Sequence, residues 1–131
     1  MRIDEYFAEV AEVIEQCPFA YSSTVTYDRR STHEGFLRGE IYFVDGSQLH
    51  IREFVSTGDV LSRLIYAYHF VDAASTLIFR YDNTPHHRKL NLHTFPHHKH
   101  EGSESRVAAS LAPTLSEVLQ EISAIIQIPG A

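Results

Sequence analysis

The sequence predicts an α+β fold, a largely antiparallel meander sheet of about five strands with an N-terminal and a C-terminal helix. Three observations predict it. Apolar residues recur at three- and four-residue steps near the two chain ends. Between them, residues 19–83 follow period two and are rich in β-branched and aromatic types. The links between these stretches are short, which joins neighbouring strands antiparallel.

Taken in order, residues 3–16 place Ile3, Phe7, Val10 and Ile14 on one helical face, with Val13 beside them, and Asp4, Glu5, Glu9, Glu12 and Glu15 on the other. Pro18 stops this helix. Strands follow at 19–30 and 35–44, separated by a turn at Ser31–Glu34. Asp45-Gly46-Ser47 is a hairpin signal leading into a third strand at 48–56. There Leu49, Ile51, Glu53 and Val55 share one face, and His50, Arg52 and Phe54 the other. The fourth strand, 62–72, alternates Leu64, Tyr66, Tyr68 and Phe70 against Arg63, Ile65, Ala67, His69 and Val71. The fifth is 75–83. His33, His50 and His69 are expected in the sheet, in structural roles. "EGSES" (101–105) reads as a polar link and 104–111 as a short helix. The last helix begins at "TLSE", where Thr114 and Glu117 have capping-box spacing after Pro113. Its stripe is Leu115, Val118, Leu119, Ile122, Ile125 and Ile126.

The chain's 131 residues are expected to form a single domain, residues 1–131, with 44% apolar content to fill its core. No apolar run is long enough for a membrane span, and the N-terminus lacks a secretory pattern. The lone Cys17 cannot form an internal disulfide and reads as a small buried apolar residue. A cytoplasmic protein that does not enter membranes is the expectation. The net charge of −6 argues against general nucleic-acid affinity. Residues 80–100, however, carry +3 and the remainder −9. That stretch suits a bound phosphate.

It also holds six of the nine histidines, so residues 82–103 are the candidate active-site segment, read as a histidine-rich loop. His97, His98 and His100 are close enough to suggest a metal, but no paired cysteines, HExxH helix or EF-hand loop accompany them. No metal and no cofactor are expected. Proton transfer suits the residue types better. Cleaving RNA without a metal needs a base for the 2′-OH, an acid for the leaving 5′ oxygen and a cation on the phosphorane. Arg80 offers the forked cation. His86 and His87 are candidates for base and acid, with His97 a rival for either. Asp82 can fix a histidine tautomer. Arg88 and Lys99 can hold flanking phosphates, His98 and His100 can contact substrate, and Tyr81 can stack on a base. Glu53 is expected to pair with Arg80. Read structurally, Asp82 shapes a turn before Pro85 and the tyrosines fill the core.

"FRYDNTPHH" (79–87) followed by "TFPHHKH" (94–100) resembles the TumE toxin family, with weaker likeness over about 35–126. The resemblance implies an RNA-cleaving toxin of a type II toxin–antitoxin pair, neutralised by a small helix-turn-helix antitoxin (TumA-like). It singles out Arg80, Tyr81, Asp82, Asn83, Pro85, His86 and His87, then Phe95, Pro96 and His97 to His100. The spacer "RKLNLH" is longer than the family pattern, and Arg88 stands where proline is expected. A homodimer is a further expectation. Two alternatives stand beside the nuclease: a non-catalytic module binding nucleic acid or a protein partner, and a metal-dependent hydrolase.

Overall fold

The computed structural model describes residues 1–83, 97–103 and 107–126. Helix α1 spans Ile3–Glu15 and helix α2 Leu115–Ile125. The strands are β1 (Ala20–Arg29), β2 (Glu34–Phe43), β3 (Gln48–Ser56), β4 (Ser62–Val71), β5 (Leu77–Asp82), β6 (His98–Glu101) and β7 (Val107–Ala109). They lie side by side in chain order, every pair antiparallel, as one meander.

The α+β meander is therefore the fold, with seven strands rather than about five. The added strands come from two readings that fail. Residues 98–101, taken as part of a loop, pair with β5, and residues 107–109, taken as helix, pair with β6. Both stretches are short, and β6 is built of His, Lys and Glu, so neither offers the apolar alternation that reveals the other strands. His33 sits in the β1–β2 turn rather than in a strand, with its Nδ1 on the Met1 carbonyl at 2.9 Å.

Period two sends every second side chain of the sheet toward the helices. Leu37, Ile41 and Phe43 of β2, Leu49, Ile51 and Val55 of β3, and Tyr66, Tyr68 and Phe70 of β4 are buried there. Against them pack Ile3, Phe7, Val10 and Ile14 of α1 and Leu115, Val118, Leu119 and Ile122 of α2. Cys17 is buried in the same core. A Cβ on Gly35 would lie 2.5 Å from the Phe7 ring, so this glycine lets α1 dock close to β2. The predicted capping box starts α2. Thr114 Oγ1 accepts from the Glu117 backbone N–H at 3.2 Å, and Glu117 Oε1 accepts from the Thr114 N–H at 2.9 Å. Both helices lie on one side of the sheet. Neither helix lies on the other side, and that second face positions the site.

Candidate active site

In β5, Phe79 and Tyr81 face the helices, so Arg80 and Asp82 face the other way. Register pairs Arg80 with His100 and Asp82 with His98. The same alternation then divides the histidine segment. His98 and His100 join Asp82 and Arg80 on the face opposite the helices, while His97 and Lys99 turn to the helix face. Asp82 is fully buried. Its Oδ2 lies 2.9 Å from Arg80 Nε, and its Oδ1 lies 2.7 Å from His98 Nε2. His100 Nε2 is 3.8 Å from Oδ2, and the His98 and His100 rings meet edge to face at 5.0 Å. A carboxylate taken out of water needs such partners. Arg80 keeps 28% of its side chain exposed, so it reaches both the buried carboxylate and the surface.

The next strands extend this face. Ala67 lies beside Asp82 and His69 beside Arg80, and beyond them come Arg52 and His50 of β3. Ala67 is the small side chain of this group, and around it His50, Arg52, His69 and Arg80 line a shallow groove of about 410 Å³. His50 Nδ1 is 3.7 Å from Glu40, and the His50 and His69 rings are 6.0 Å apart.

The helix face carries a second polar cluster. Glu53, fully buried, accepts hydrogen bonds from the hydroxyls of Tyr6 and of Tyr68, the latter at 2.6 Å. Burial first, and the Glu53 carboxylate second, hold both phenols well above their ordinary range. Glu53 therefore does not pair with Arg80, as expected from sequence. The two project from opposite faces, and Arg80 takes Asp82 instead. Arg63 donates to Tyr68 Oη at 3.0 Å and lies over the Tyr66 ring at 4.4 Å. Simple alternation places Arg63 opposite these tyrosines and Leu64 with them. The structure reverses this, because the β3–β4 register shifts between Phe54 and Val55. Leu64 is left exposed.

His97 stacks on Tyr66, with its Nδ1 2.9 Å from Tyr66 Oη. Burial, then Arg63 and His98, lower its pKa. Tyr66 is pushed up to about 12, mainly by burial. The direction of this hydrogen bond follows the His97 tautomer: the Tyr66 hydroxyl donates where the imidazole carries its proton on Nε2. Tyr81 is buried with its hydroxyl on Glu121 at 2.6 Å, and Lys99 reaches the other oxygen of Glu121 at 3.0 Å. Burial opposes the Lys99 charge, but Tyr81 and Glu121 outweigh it and raise the pKa.

Of the sequence-selected residues, Arg80, Asp82, His98 and His100 come together. Tyr81, His97, Lys99 and Glu53 lie on the helix side of the sheet. His86, His87 and Arg88 lie outside the described residues. Arg52, His50 and His69 were not selected for the site, although period two already aligned them; only the strand register tells that they approach Asp82.

Chemically, the cluster can do two things. Asp82 can orient an imidazole through the 2.7 Å contact, beside a guanidinium suited to phosphate oxygens. Alternatively, Asp82, His98 and His100 offer one ligand atom each, all within 4.8 Å, a donor set that suits zinc or ferrous iron. Fold and site define a small α+β protein with a carboxylate–imidazole–guanidinium cluster on the face of a meander sheet opposite its helices. The chain belongs to the TumE toxin family, whose model, described as Toxin TumE, matches residues 10–126. Its role is that of a toxin, which implies an antitoxin partner. Searches of curated proteins and of solved structures give no match. Among the described residues no helix is long and apolar enough to cross a membrane.

Proposed function

We propose that the toxin is a metal-independent endoribonuclease. The RNA 2′ oxygen attacks the adjacent phosphorus, the bond to the 5′ oxygen breaks, and a 2′,3′-cyclic phosphate and a 5′-hydroxyl result. One imidazole takes the 2′-OH proton, a second donor protonates the leaving oxygen, and Arg80 offsets the charge of the phosphorane. The single observation that carries this reading is Asp82, buried between His98 and Arg80. With His98 Nε2 2.7 Å from Oδ1, the carboxylate favours the proton on Nε2, which leaves Nδ1 as the basic nitrogen of the ring. The second proton carrier is drawn from His86 and His87, beyond the described residues. His97, engaged with Tyr66 on the other face, has no part in this reading. RNA is the substrate, the cytoplasm the place of action, and a helix-turn-helix protein the antitoxin.

A metal-dependent hydrolase is the second reading, favoured by the Asp82, His98 and His100 donor set. Against it stands the Arg80 guanidinium, 2.9 Å from the same carboxylate, which a dication would oppose.

The test uses untagged protein, a labelled RNA and the variants Arg80→Ala and His98→Asn. Each is expected to cleave at least about 100-fold more slowly than wild type, with an unchanged circular dichroism spectrum. Wild-type rates in both would reject these roles. Loss of wild-type cleavage in EDTA would select the metal reading.

A further inference from the structure

We infer that the β2–β3 part of the sheet face opposite the helices is a track for single-stranded RNA, with Arg38 and Arg52 holding phosphates upstream or downstream of the Asp82 cluster. This rests on the nuclease reading and names how its substrate is held. The first observation is a like-charge pair. Arg38 of β2 and Arg52 of β3 are direct cross-strand partners, both exposed. Opposed guanidiniums destabilise a sheet. Among the described residues neither forms an ion pair. A polyanion lying between them removes the repulsion.

The second observation is register. Arg38, Arg52, Ala67, Asp82 and His98 occupy one row across β2 to β6. At about 4.8 Å per strand, Arg38 lies roughly 14 Å from Asp82, a distance spanned by a few nucleotides of extended chain. The row is exposed at Arg38 and Arg52 and buried from Ala67 to His98. The groove beside Ala67 continues into a second one, of about 460 Å³, lined by Thr24, Thr26, Arg38, Arg52 and the Glu40–His50 pair.

The third observation is aromatic. Phe36 and Phe54 are also cross-strand partners on this face, half-buried, with ring centroids 6.2 Å apart. They sit one row from the arginine pair. Half-exposed rings beside cations on an open sheet stack unpaired bases, whose faces a duplex hides. Charge makes the same distinction at the level of the molecule. The exposed side of α1 carries Asp4, Glu5, Glu9, Glu12 and Glu15, so RNA is repelled from the helix layer.

The experiment measures fluorescence anisotropy of a short, mixed-sequence 2′-O-methyl oligoribonucleotide, which binds but cannot be cleaved. Wild type is compared with Arg38→Gln/Arg52→Gln and with Phe54→Leu, thermal unfolding serving as the fold control. The arginine double variant is expected to bind about tenfold more weakly. Its log Kd against log salt slope should be shallower by about 1.4, the value for two single-strand phosphate contacts. Phe54→Leu should weaken binding with the slope unchanged. The same sequence as a duplex should bind more weakly than the single strand. Wild-type affinity in a folded double variant would overturn the track. So would poly-glutamate competing as well as RNA, which marks a site for an acidic protein, and so would equal affinity for the duplex. The nuclease reading fails separately: cleavage untouched by His98→Asn rejects it, whatever the arginines do to binding.

Discussion

At the residue scale, the two buried carboxylates are satisfied by different chemistry. Glu53 has two phenols as its hydrogen-bond donors, both protonated far beyond neutral pH, and so belongs to the core. Asp82 has a guanidinium and an imidazole, groups that can also act on a phosphate. Strand alternation alone does not separate them; the FRYDNTPHH stretch singles out Asp82, and the partner, set by strand register, makes the chemical difference. His97 gives a pH prediction. Its pKa is lowered in the fold, chiefly by burial. As pH falls below the ordinary 6.5, the unfolded chain takes up the proton first, so stability is full above that value and declines toward the lower folded pKa. In His97→Asn this contribution is gone. The urea midpoint of the variant should therefore fall less than that of wild type when pH is lowered from about 7 to about 5.5. An identical fall in both proteins would contradict the assignment.

At the element scale, what the sequence makes legible is what periodicity and end signals can carry. The predicted helix at 3–16 is Ile3–Glu15, and the predicted strand at 48–56 is Gln48–Ser56. Alternation is unbroken there, and Pro18 and the Asp45-Gly46-Ser47 turn, with Gly46 at φ 86°, mark the ends. Strand β6 is illegible because its buried positions are His98 and His100, polar residues beside Asp82 on the face away from the apolar core. Arg63 was assigned to the wrong face because a register shift leaves no mark in composition. From its actual position it also donates to the carbonyls of Ala112 and Pro113, both at 2.7 Å, and ties β4 to the turn before α2. The start of α2 rests on its cap. Thr114→Ala removes the acceptor of the Glu117 N–H and should cost about 1 kcal/mol in chemical denaturation. Thr114→Ser, which keeps the oxygen, should recover most of it, and equal loss in both variants would contradict the cap.

At the scale of the whole molecule, two layers of opposite character are joined through one core. The helix layer is acidic outside, and the opposite sheet face bears Arg38, Arg52 and Arg80 among Asp28, Glu34, Glu40 and Asp82. The net charge of −6 therefore does not describe the surroundings of the Arg38–Arg52 pair, because fields act over about a Debye length rather than over the molecule. The proposed chemistry depends on Asp82, His98 and Arg80 acting on one phosphodiester without a metal. The most direct measurement is the chemical identity of the RNA ends that the untagged protein produces in EDTA. The expected products are a 2′,3′-cyclic phosphate and a 5′-hydroxyl, formed at the rate seen without chelator. Fragments with 3′-hydroxyl and 5′-phosphate ends, or no fragments once EDTA is present, would contradict it.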